Sequence, residues 1–226
     1  MKKNAVIVAG GTGTRMGGGI PKQFRSLCGR PVLWWSMKAF HDEDSKTNLI
    51  IVLPEDFISL WNDFYSSLPI AEQFPHNVVS GGASRSESVK NGLSLINDED
   101  SLVAVHDGAR PLVTPEMISK GWEMAEKNTA AIPVVAVTDS LRLLEGDNSK
   151  AVNRSEYMAV QTPQVFRADM LKASYKENEG KVFTDDASVM EASGYKISLF
   201  EGHPDNIKIT NPKDLAIATV ILGKNA

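Results

Sequence analysis

Short apolar runs alternate with longer amphipathic segments along most of the chain. The apolar runs at 5–9, 49–53, 102–105 and 130–135 have the length of buried strands, and 77–80 is a further strand candidate. The amphipathic segments between them predict helices over 31–40, 55–65, 84–96 and 115–127. This alternation predicts an α/β fold, in which a mostly parallel sheet carries helices on both faces.

Polar residues mark the beginnings of three helices. Ser84 and Glu87 have the spacing of a capping box, in which each side chain accepts a hydrogen bond from a backbone N–H that the helix leaves free. Thr114 and Asn211 each precede a proline, a residue that suits the first turn of a helix. The sequence therefore predicts helix starts near residues 84, 114 and 211.

The segment 137–159 interrupts the α/β pattern. Two short extended stretches, 141–144 and 151–153, flank the turn-forming residues 145–148, a pattern typical of a β-hairpin. Since the hairpin is inserted between α/β elements, we expect it to project as an arm. No repeat, low-complexity tract or linker divides the sequence, so 1–226 is predicted to be a single domain that contains this arm.

Composition narrows the function classes. The net charge of −4 argues against general attraction to nucleic acid or to an anionic membrane. Cys28 is the single cysteine, which excludes an internal disulfide and a cysteine zinc site and suits a reducing compartment. Neither a secretory signal nor a run of about 20 apolar residues is present. We therefore expect a cytoplasmic protein that binds neither nucleic acid nor membrane.

A glycine-rich segment follows the first predicted strand. Positions 10–19 hold six glycines, which let backbone amides approach a phosphate closely, and Arg15 and Lys22 supply positive charge. Ligands of open α/β sheets bind at this carboxyl end of a strand. The segment fits neither the dinucleotide-binding pattern, because Met16 stands where its third glycine belongs, nor the P-loop. It predicts a phosphate-binding loop, and a flexible turn without a ligand is the alternative.

A second cluster lies where the helix 84–96 begins. Gly81 and Gly82 precede a helix start whose free amides favour an anion or a base carbonyl, and Ser88 lies one turn inside the helix. The alternative is a well-capped helix without a ligand.

A third cluster ends the strand 102–105. Asp107 at this position can hold Mg²⁺ against bound phosphates, because magnesium takes few protein ligands and keeps substrate oxygens. The alternative is an ion pair between Asp107 and Arg110. Farther along, alternation over 207–209 predicts a strand whose Lys208 points away from the apolar face, and Asp205 could supply a second metal contact.

Taken together, these motifs resemble those of the 2-C-methyl-D-erythritol 4-phosphate cytidylyltransferase family. The resemblance runs in order over nearly the whole chain and rests on Ala9-Gly10-Gly11-x-Gly13-x-Arg15-Met16, Pro21-Lys22-Gln23, Gly81-Gly82-x-x-Arg85-x-x-Ser88-Val89, Val105-His106-Asp107-x-Ala109-Arg110-Pro111, Gln161-Thr162-Pro163-Gln164 and Asn206-Ile207-Lys208. The ribitol 5-phosphate cytidylyltransferases share several of these motifs, but 184–188 resembles the methylerythritol branch more closely.

The resemblance implies a Rossmann-like nucleotidyltransferase fold, CTP and a polyol phosphate as substrates, Mg²⁺ (or another divalent cation) as cofactor, and a homodimer with interlocked β-arms. It assigns catalytic roles to Arg15, Lys22 and Lys208. It assigns nucleotide binding to Ala9, Gly10, Gly11, Gly13, Gly82, Ser88 and Asp107, and it assigns metal binding to Asp107 as well. It assigns the acceptor to Ser140, Arg154, Thr162 and Thr184, with Arg154 reaching across from the partner; Ser140 stands where the family usually has threonine.

The residues also suit the chemistry that the family implies. A phosphate monoester attacking the α-phosphorus of CTP is already mostly dianionic at neutral pH, with a second pKa near ~6, so no general base is needed. Fixed cations must instead offset the repulsion between two anions. Another sugar-phosphate nucleotidyltransferase is an alternative. The other alternative is a non-catalytic nucleotide-binding module. Such a module would lack the charged groups that Arg15, Lys22, Asp107 and Lys208 provide.

Overall fold

The structure is a computed structural model that describes residues 1–10 and 20–224. Its strands are β1 (Lys2–Val8), β2 (Ser26–Leu27), β3 (Arg30–Pro31), β4 (Asn48–Leu53), β5 (His76–Ser80), β6 (Ser101–Asp107), β7 (Ala130–Ala136), β8 (Arg142–Glu145), β9 (Asn148–Ala151), β10 (Met158–Val160), β11 (Gln164–Arg167) and β12 (Ser198–Glu201). Its helices are α1 (Val32–Glu43), α2 (Ile58–Ser66), α3 (Arg85–Leu93), α4 (Pro115–Asn128), α5 (Ala168–Glu177), α6 (Asp186–Ala192) and α7 (Pro212–Lys224).

Eight of these strands form one mostly parallel sheet. Hydrogen-bonded neighbours follow the order β10-β7-β11-β6-β1-β4-β5, and β12 pairs in parallel with β7. β10 and β11 run antiparallel to their neighbours. The central register aligns the ends of three parallel strands, because Val8 pairs with both Val52 and Asp107. The segments that follow β1, β4 and β6 therefore leave the sheet at one edge.

Apolar side chains alternate between the two faces of the central strands, as a sheet covered on both sides requires. In β1, Ala5 and Ile7 join the core cluster that contains Trp61 and Trp122, whereas Val6 joins the cluster that contains Leu171. The first cluster packs under α1, α2 and α4, and the second under α3, α5 and α6. The predicted α/β architecture with helices on both faces is confirmed.

The predicted hairpin is present, with its strands one to three residues away from the expected positions. β8 and β9 pair antiparallel around Gly146, whose φ of 61° lies in the left-handed region that glycine tolerates. Every residue of both strands is exposed, including Leu144 at 78%. The pair is not hydrogen-bonded to the main sheet. The assignment of 1–226 to a single domain and the dimerising role of the 137–159 arm stay predictions.

The predicted strand at 207–209 is wrong. This segment is irregular, although its side chains still alternate: Ile209 is buried and Lys208 is exposed. The backbone N–H of Ile209 donates to the carbonyl oxygen of Ala109 (2.8 Å), a single bond rather than a ladder. The alternation therefore reflects packing of one extended segment against the loop that follows β6.

The predicted helix starts are confirmed. Both bonds of the capping box between Ser84 and Glu87 are formed, and Thr114 accepts from the N–H of Met117. Asn211 accepts from the N–H groups of Lys213 and Asp214. None of the helices in the described part of the chain combines the length and apolar character that a bilayer crossing requires.

Candidate active site

The segment after β1 forms one wall of a cavity at the carboxyl edge of the sheet. Ala9 and Gly10 line this cavity, together with Lys22 from the short helical turn Lys22–Phe24. The buried Gln23 side chain donates to the carbonyl oxygen of Ala9, and Lys22 Nζ lies 2.8 Å from the carbonyl oxygen of Ile209. The turn that carries Lys22 is thus anchored to Ala9 and to the segment that carries Lys208.

Three predicted residues, Gly11, Gly13 and Arg15, lie outside the described residues. The assignment of Gly11 and Gly13 to the nucleotide and the catalytic role of Arg15 stay predictions.

The start of α3 forms the opposite wall. Ser88 Oγ accepts from the N–H of Gly82 (3.1 Å) and donates to the carbonyl oxygen of Ser84 (2.9 Å). A Cβ at residue 82 would lie only 2.3 Å from the Cβ of Glu87, so this tight approach requires glycine. The capped helix is therefore present and lines the cavity, and the role of Gly82 and Ser88 in nucleotide binding stays a prediction.

Asp107 lies at the end of β6 among three cations. Its Oδ2 is 2.9 Å from Lys208 Nζ and 3.4 Å from Arg110 Nε, and its Oδ1 is 4.0 Å from Arg85 Nε. The Asp107 side chain is 13% exposed, whereas that of Lys208 is 43% exposed. The ion pair between Asp107 and Arg110, which was the alternative to a metal site, is formed. Lys208 and Arg85 share the same carboxylate.

This charge arrangement fixes the ionisation of Asp107. Burial by itself would raise the pKa of Asp107, but the positive charges of Lys208, Arg85 and Arg110 outweigh that effect and lower the pKa to about 2. Asp107 is therefore an anion at any pH near neutrality, as a metal ligand must be.

A second cavity adjoins the first. The cavity between Gly10 and Ser88 measures about 260 Å³, and its neighbour, lined by Thr162 and Thr184, measures about 310 Å³. Both cavities are lined by Arg85, Asp107 and Lys208. Two ligands bound in these cavities would meet at this cationic junction.

The four residues predicted to hold the acceptor separate into two pairs. Thr162 and Thr184 line the second cavity, and Thr162 Oγ1 accepts from the N–H of Asp107 (3.0 Å). Ser140 and Arg154, both in the described part of the chain, line neither cavity. Arg154 is exposed and donates to the carbonyl oxygen of Thr138. One chain by itself therefore does not bring Ser140 and Arg154 to the junction.

Asp107 suits the predicted metal. Within residues 1–10 and 20–224, no three His, Cys, Asp or Glu side chains cluster as a metal cage. Magnesium commonly uses one or two carboxylates and completes its shell with water and substrate phosphate oxygens, so a single aspartate at a phosphate cavity suits it. Asp205 lines a separate cavity beside Trp35 and His203, rather than either of the two that meet at Asp107.

Arg85 and Arg110 were not assigned roles from the sequence, although both occur in the motifs quoted above. Arg110 Nη1 donates to the carbonyl oxygen of Asn206 (2.7 Å), and Arg85 reaches both Asp107 and the fully buried Asp186. Asp186 is 79 residues from Asp107 in the sequence, so no local motif joins them. The presence of Arg85 and Arg110 within the motifs is the sequence signal that could have indicated their place in the site.

His106, to which the sequence assigned no chemistry, is buried behind the site. Its Nδ1 lies 3.1 Å from Thr162 Oγ1, and its Nε2 lies 3.2 Å from the carbonyl oxygen of Arg110. Burial lowers the pKa of His106 to about 4, so the folded protein holds this imidazole neutral at pH 7. The contacts indicate a role in supporting the loop that follows Asp107.

This buried imidazole predicts a pH-dependent stability. The unfolded chain protonates it below about pH 6.5, whereas the folded chain resists until about pH 4, so the free energy of unfolding should fall as the pH drops through this window. The shift corresponds to a loss of roughly 3 kcal/mol at most. Denaturant unfolding of the wild type and of His106→Gln measures it, and the variant should show the shallower pH slope. Equal slopes would contradict a neutral buried imidazole.

Comparison with known proteins identifies the family. Residues 4–224 match the family model described as 2-C-methyl-D-erythritol 4-phosphate cytidylyltransferase. The chain belongs to this family. It is therefore a cytidylyltransferase, one of the nucleotidyltransferases.

Individual relatives agree with this membership. The 2-C-methyl-D-erythritol 4-phosphate cytidylyltransferase of Bacteroides thetaiotaomicron is 46% identical over 222 residues, which cover 98% of this chain and 100% of that protein. The protein of the same name from Phocaeicola vulgatus is 44% identical over the same shares. The resemblance stated from the sequence is confirmed.

Solved structures of this family share the fold. The crystal structure of 2-C-methyl-D-erythritol 4-phosphate cytidylyltransferase from Thermus thermophilus matches with a TM-score of 0.78 at 31% identity, covering 98% of both chains. The 4-diphosphocytidyl-2C-methyl-D-erythritol synthase from Anaerococcus prevotii matches with a TM-score of 0.84 at 25% identity, again over 98% of both. The predicted nucleotidyltransferase fold is confirmed.

Proposed function

We propose that this chain transfers CMP from CTP to 2-C-methyl-D-erythritol 4-phosphate, giving 4-diphosphocytidyl-2-C-methyl-D-erythritol and pyrophosphate in isoprenoid biosynthesis. The family supports this reaction. The observation that carries it is the pair of cavities that share Arg85, Asp107 and Lys208, because a two-substrate transfer needs adjoining sites. CTP occupies the cavity between Gly10 and Ser88, and the polyol phosphate occupies the cavity beside Thr162.

The reaction is an in-line displacement at phosphorus. A phosphate oxygen of the acceptor forms a bond to the α-phosphorus of CTP while the bond from that phosphorus to the bridging oxygen of the β-phosphate breaks, and pyrophosphate leaves with the electron pair. The acceptor monoester is already mostly dianionic at pH 7, with a second pKa near ~6, so no side chain must remove a proton. Catalysis then rests on positioning and charge.

The fixed cations perform that task. Lys208 Nζ, 2.9 Å from Asp107, lies where the two cavities meet, and Lys22 lines the nucleotide cavity. They offset the repulsion between the acceptor phosphate and the triphosphate, together with Arg15 of the glycine segment. Asp107 would hold Mg²⁺ or another divalent cation, which supplies further positive charge to the phosphate oxygens when bound.

We also infer a homodimer in which the arm of one subunit completes the acceptor cavity of the other. Three observations support it: Ser140 and Arg154 lie outside the cavities of their own chain, the arm is exposed along its length, and it carries Leu143 and Leu144 at 53% and 78% exposure. Contiguous exposed apolar surface marks interaction sites, and two adjacent exposed leucines on an arm suit such a site.

We also infer that the protein works in the reducing cytoplasm, which its single cysteine suits. We infer no nucleic acid partner, because the net charge is −4.

Subunit mixing tests the arm. If Arg154 acts across the interface, Arg154→Ala and Lys22→Ala subunits together form some hybrid sites that lack neither side chain. We expect each variant to be nearly inactive as a homodimer. A mixed dimer keeps both side chains in one of its two sites, so purified heterodimers should regain up to about half of wild-type activity and a random one-to-one mixture up to about a quarter. Heterodimers purified through two different affinity tags, with no gain over the parents, would show that each site is built within one chain.

A nucleotide-by-acceptor assay tests the reaction itself. Pyrophosphate release is measured with CTP, UTP, GTP and ATP against 2-C-methyl-D-erythritol 4-phosphate, ribitol 5-phosphate and a hexose phosphate. We expect the highest kcat/KM for CTP with the methylerythritol substrate. Preference for ribitol 5-phosphate, or for another nucleotide, would contradict the proposed substrates while leaving the nucleotidyltransferase class intact.

A further inference from the structure

Arg85 lies at the junction of the two cavities, and its side chain is held by Asp186, a residue that lines neither cavity. Its side chain, 29% exposed, lines both cavities, and its Nε is 4.0 Å from Asp107 Oδ1. Its Nη2 is 2.6 Å from Oδ2 of Asp186, the first residue of α6. Its other terminal nitrogen, Nη1, makes no hydrogen bond to the residues that the structure describes. The guanidinium is therefore held at one end and open at the other.

Asp186 is a fully buried carboxylate that accepts hydrogen bonds from Arg85 and from Tyr175. Its Oδ2 accepts from Arg85, and its Oδ1 accepts from the hydroxyl of the buried Tyr175 (2.6 Å). A buried charge is costly unless it is paired and hydrogen-bonded, and here both oxygens are satisfied. This geometry limits the orientations that Asp186 can adopt, and through it those of the Arg85 guanidinium.

The support of Asp186 is connected to the second cavity. Gln164 Oε1 accepts from the backbone N–H groups of Asp186 (3.1 Å) and Ala187 (3.0 Å), and Gln164 Nε2 donates to Asp185 Oδ2 (2.8 Å). Gln164 and Asp185 both line the cavity assigned to the acceptor. Asp186 itself lines neither cavity, but the residues that support it belong to the wall of the acceptor cavity rather than to that of the nucleotide cavity.

We propose that Arg85 binds the phosphate of the acceptor through its open edge and that Asp186 and Tyr175 are positioning residues that hold Arg85 for this contact. The inference rests on the proposed function. A guanidinium presents several N–H groups in a fixed plane, so anchoring one nitrogen on Asp186 orients the remaining donors toward a phosphate. A side chain locked in this way loses less rotational freedom when the substrate binds.

The alternative is a purely structural ion pair that joins α3 to α6. A structural ion pair and a positioning role differ in which property changes when the interaction between Asp186 and Arg85 is removed. A structural pair affects stability and the amount of folded protein, whereas positioning of Arg85 affects the KM of one substrate. The KM values of acceptor and CTP, measured separately on folded protein, distinguish them.

Two isosteric changes carry the test. Asp186→Asn removes the charge that orients Arg85, and we expect the KM for 2-C-methyl-D-erythritol 4-phosphate to rise about 10-fold or more, the range for losing a hydrogen bond to a charged group. Tyr175→Phe removes one hydroxyl and should raise it by a smaller factor, about 3-fold. The KM for CTP should stay near the wild-type value in both. Thermal unfolding verifies that each variant is folded.

Matched controls exist in the same chain. Glu43→Gln neutralises another buried carboxylate, which binds Lys3 Nζ (2.9 Å) and Trp122 Nε1 (3.0 Å), and Tyr65→Phe removes another buried hydroxyl, which donates to Phe74. Both residues line neither cavity, so these variants should lose stability without changing the KM for the acceptor. A similar rise of the acceptor KM in the controls would overturn the proposal.

A double-mutant cycle tests whether Asp186 acts through Arg85. Arg85→Lys should raise the acceptor KM, and adding Asp186→Asn to it should raise the KM little further, because the group that Asp186 orients is already gone. Multiplied effects, or a rise confined to the KM for CTP, would refute the positioning role. If the wild type turns over 2-C-methyl-D-erythritol 4-phosphate but neither variant alters its KM, this inference fails alone. If the wild type does not use that substrate, the proposed function fails as well.

Discussion

Lys208→Ala is expected to lower kcat by about 100-fold or more, the range observed when one preorganised electrostatic group is removed from an active site. The ammonium of Lys208 lies 2.9 Å from Asp107 and lines both cavities, so it is placed to face the two phosphates as they approach. Its removal leaves the repulsion between them less offset in the charged transition state. Lys22→Ala, on the nucleotide side, should cause a loss of the same order.

Steady-state kinetics with both substrates, supported by thermal unfolding, measure this effect. Lys213→Ala is the matched control, since it removes an exposed lysine five residues away that lines neither cavity. We expect its kcat to equal that of the wild type. Near-normal turnover of Lys208→Ala would refute the catalytic assignment of Lys208, and near-normal turnover of Lys22→Ala would refute that of Lys22.

Asp107→Asn is expected to abolish the stimulation of activity by magnesium while the protein remains folded. The substitution keeps the size of the side chain but removes the negative charge, and a neutral amide is a much poorer ligand for a hard cation than a carboxylate. Because the cations around Asp107 remain in place, CTP should still bind in the absence of metal. The prediction is measured as the dependence of kcat/KM on magnesium concentration, with CTP binding followed by calorimetry.

Asp100→Asn provides the control at the opposite end of the same strand. Asp100 immediately precedes β6, is 82% exposed and pairs with Arg167, so this variant makes the same chemical change away from both cavities. Its response to magnesium should match that of the wild type. A response of Asp107→Asn that also matched the wild type would eliminate Asp107 as the metal ligand.

The elements that bear on the site follow from the sequence where the signals are local. The apolar runs gave the strands β1, β4, β6 and β7 to within a few residues, because runs of four to six apolar residues have the length of a buried strand. The weaker candidate 77–80 gave β5, none of whose residues is fully buried. The capping box at Ser84 and Glu87 located α3, because its hydrogen bonds lie within one turn. The strands β10–β12 were missed, since their residues are short runs that become strands only by pairing with distant strands, β10 and β12 with β7 and β11 with both β6 and β7.

Lys208 illustrates where local patterning misled. Alternation of Ile207 and Ile209 with a lysine suggested a strand, but the segment is irregular. The burial of Ile209 and the hydrogen bond to Ala109 fix its path instead. The same alternation nevertheless placed Lys208 on the side opposite the buried isoleucine, which is the side that faces Asp107.

The sequence by itself determined the fold class, the family and the motifs that line the nucleotide cavity, because each depends on residues adjacent in the chain or on the order of motifs along it. The tertiary structure decided which charges share Asp107, that two cavities meet there, and that Asp186 and Tyr175 hold Arg85. The ion pairs of Arg85 with Asp186 and of Lys208 with Asp107 each join residues about 100 positions apart. Their formation depends on how helices pack on the sheet, and that packing is a property of the whole folded chain rather than of any local pattern.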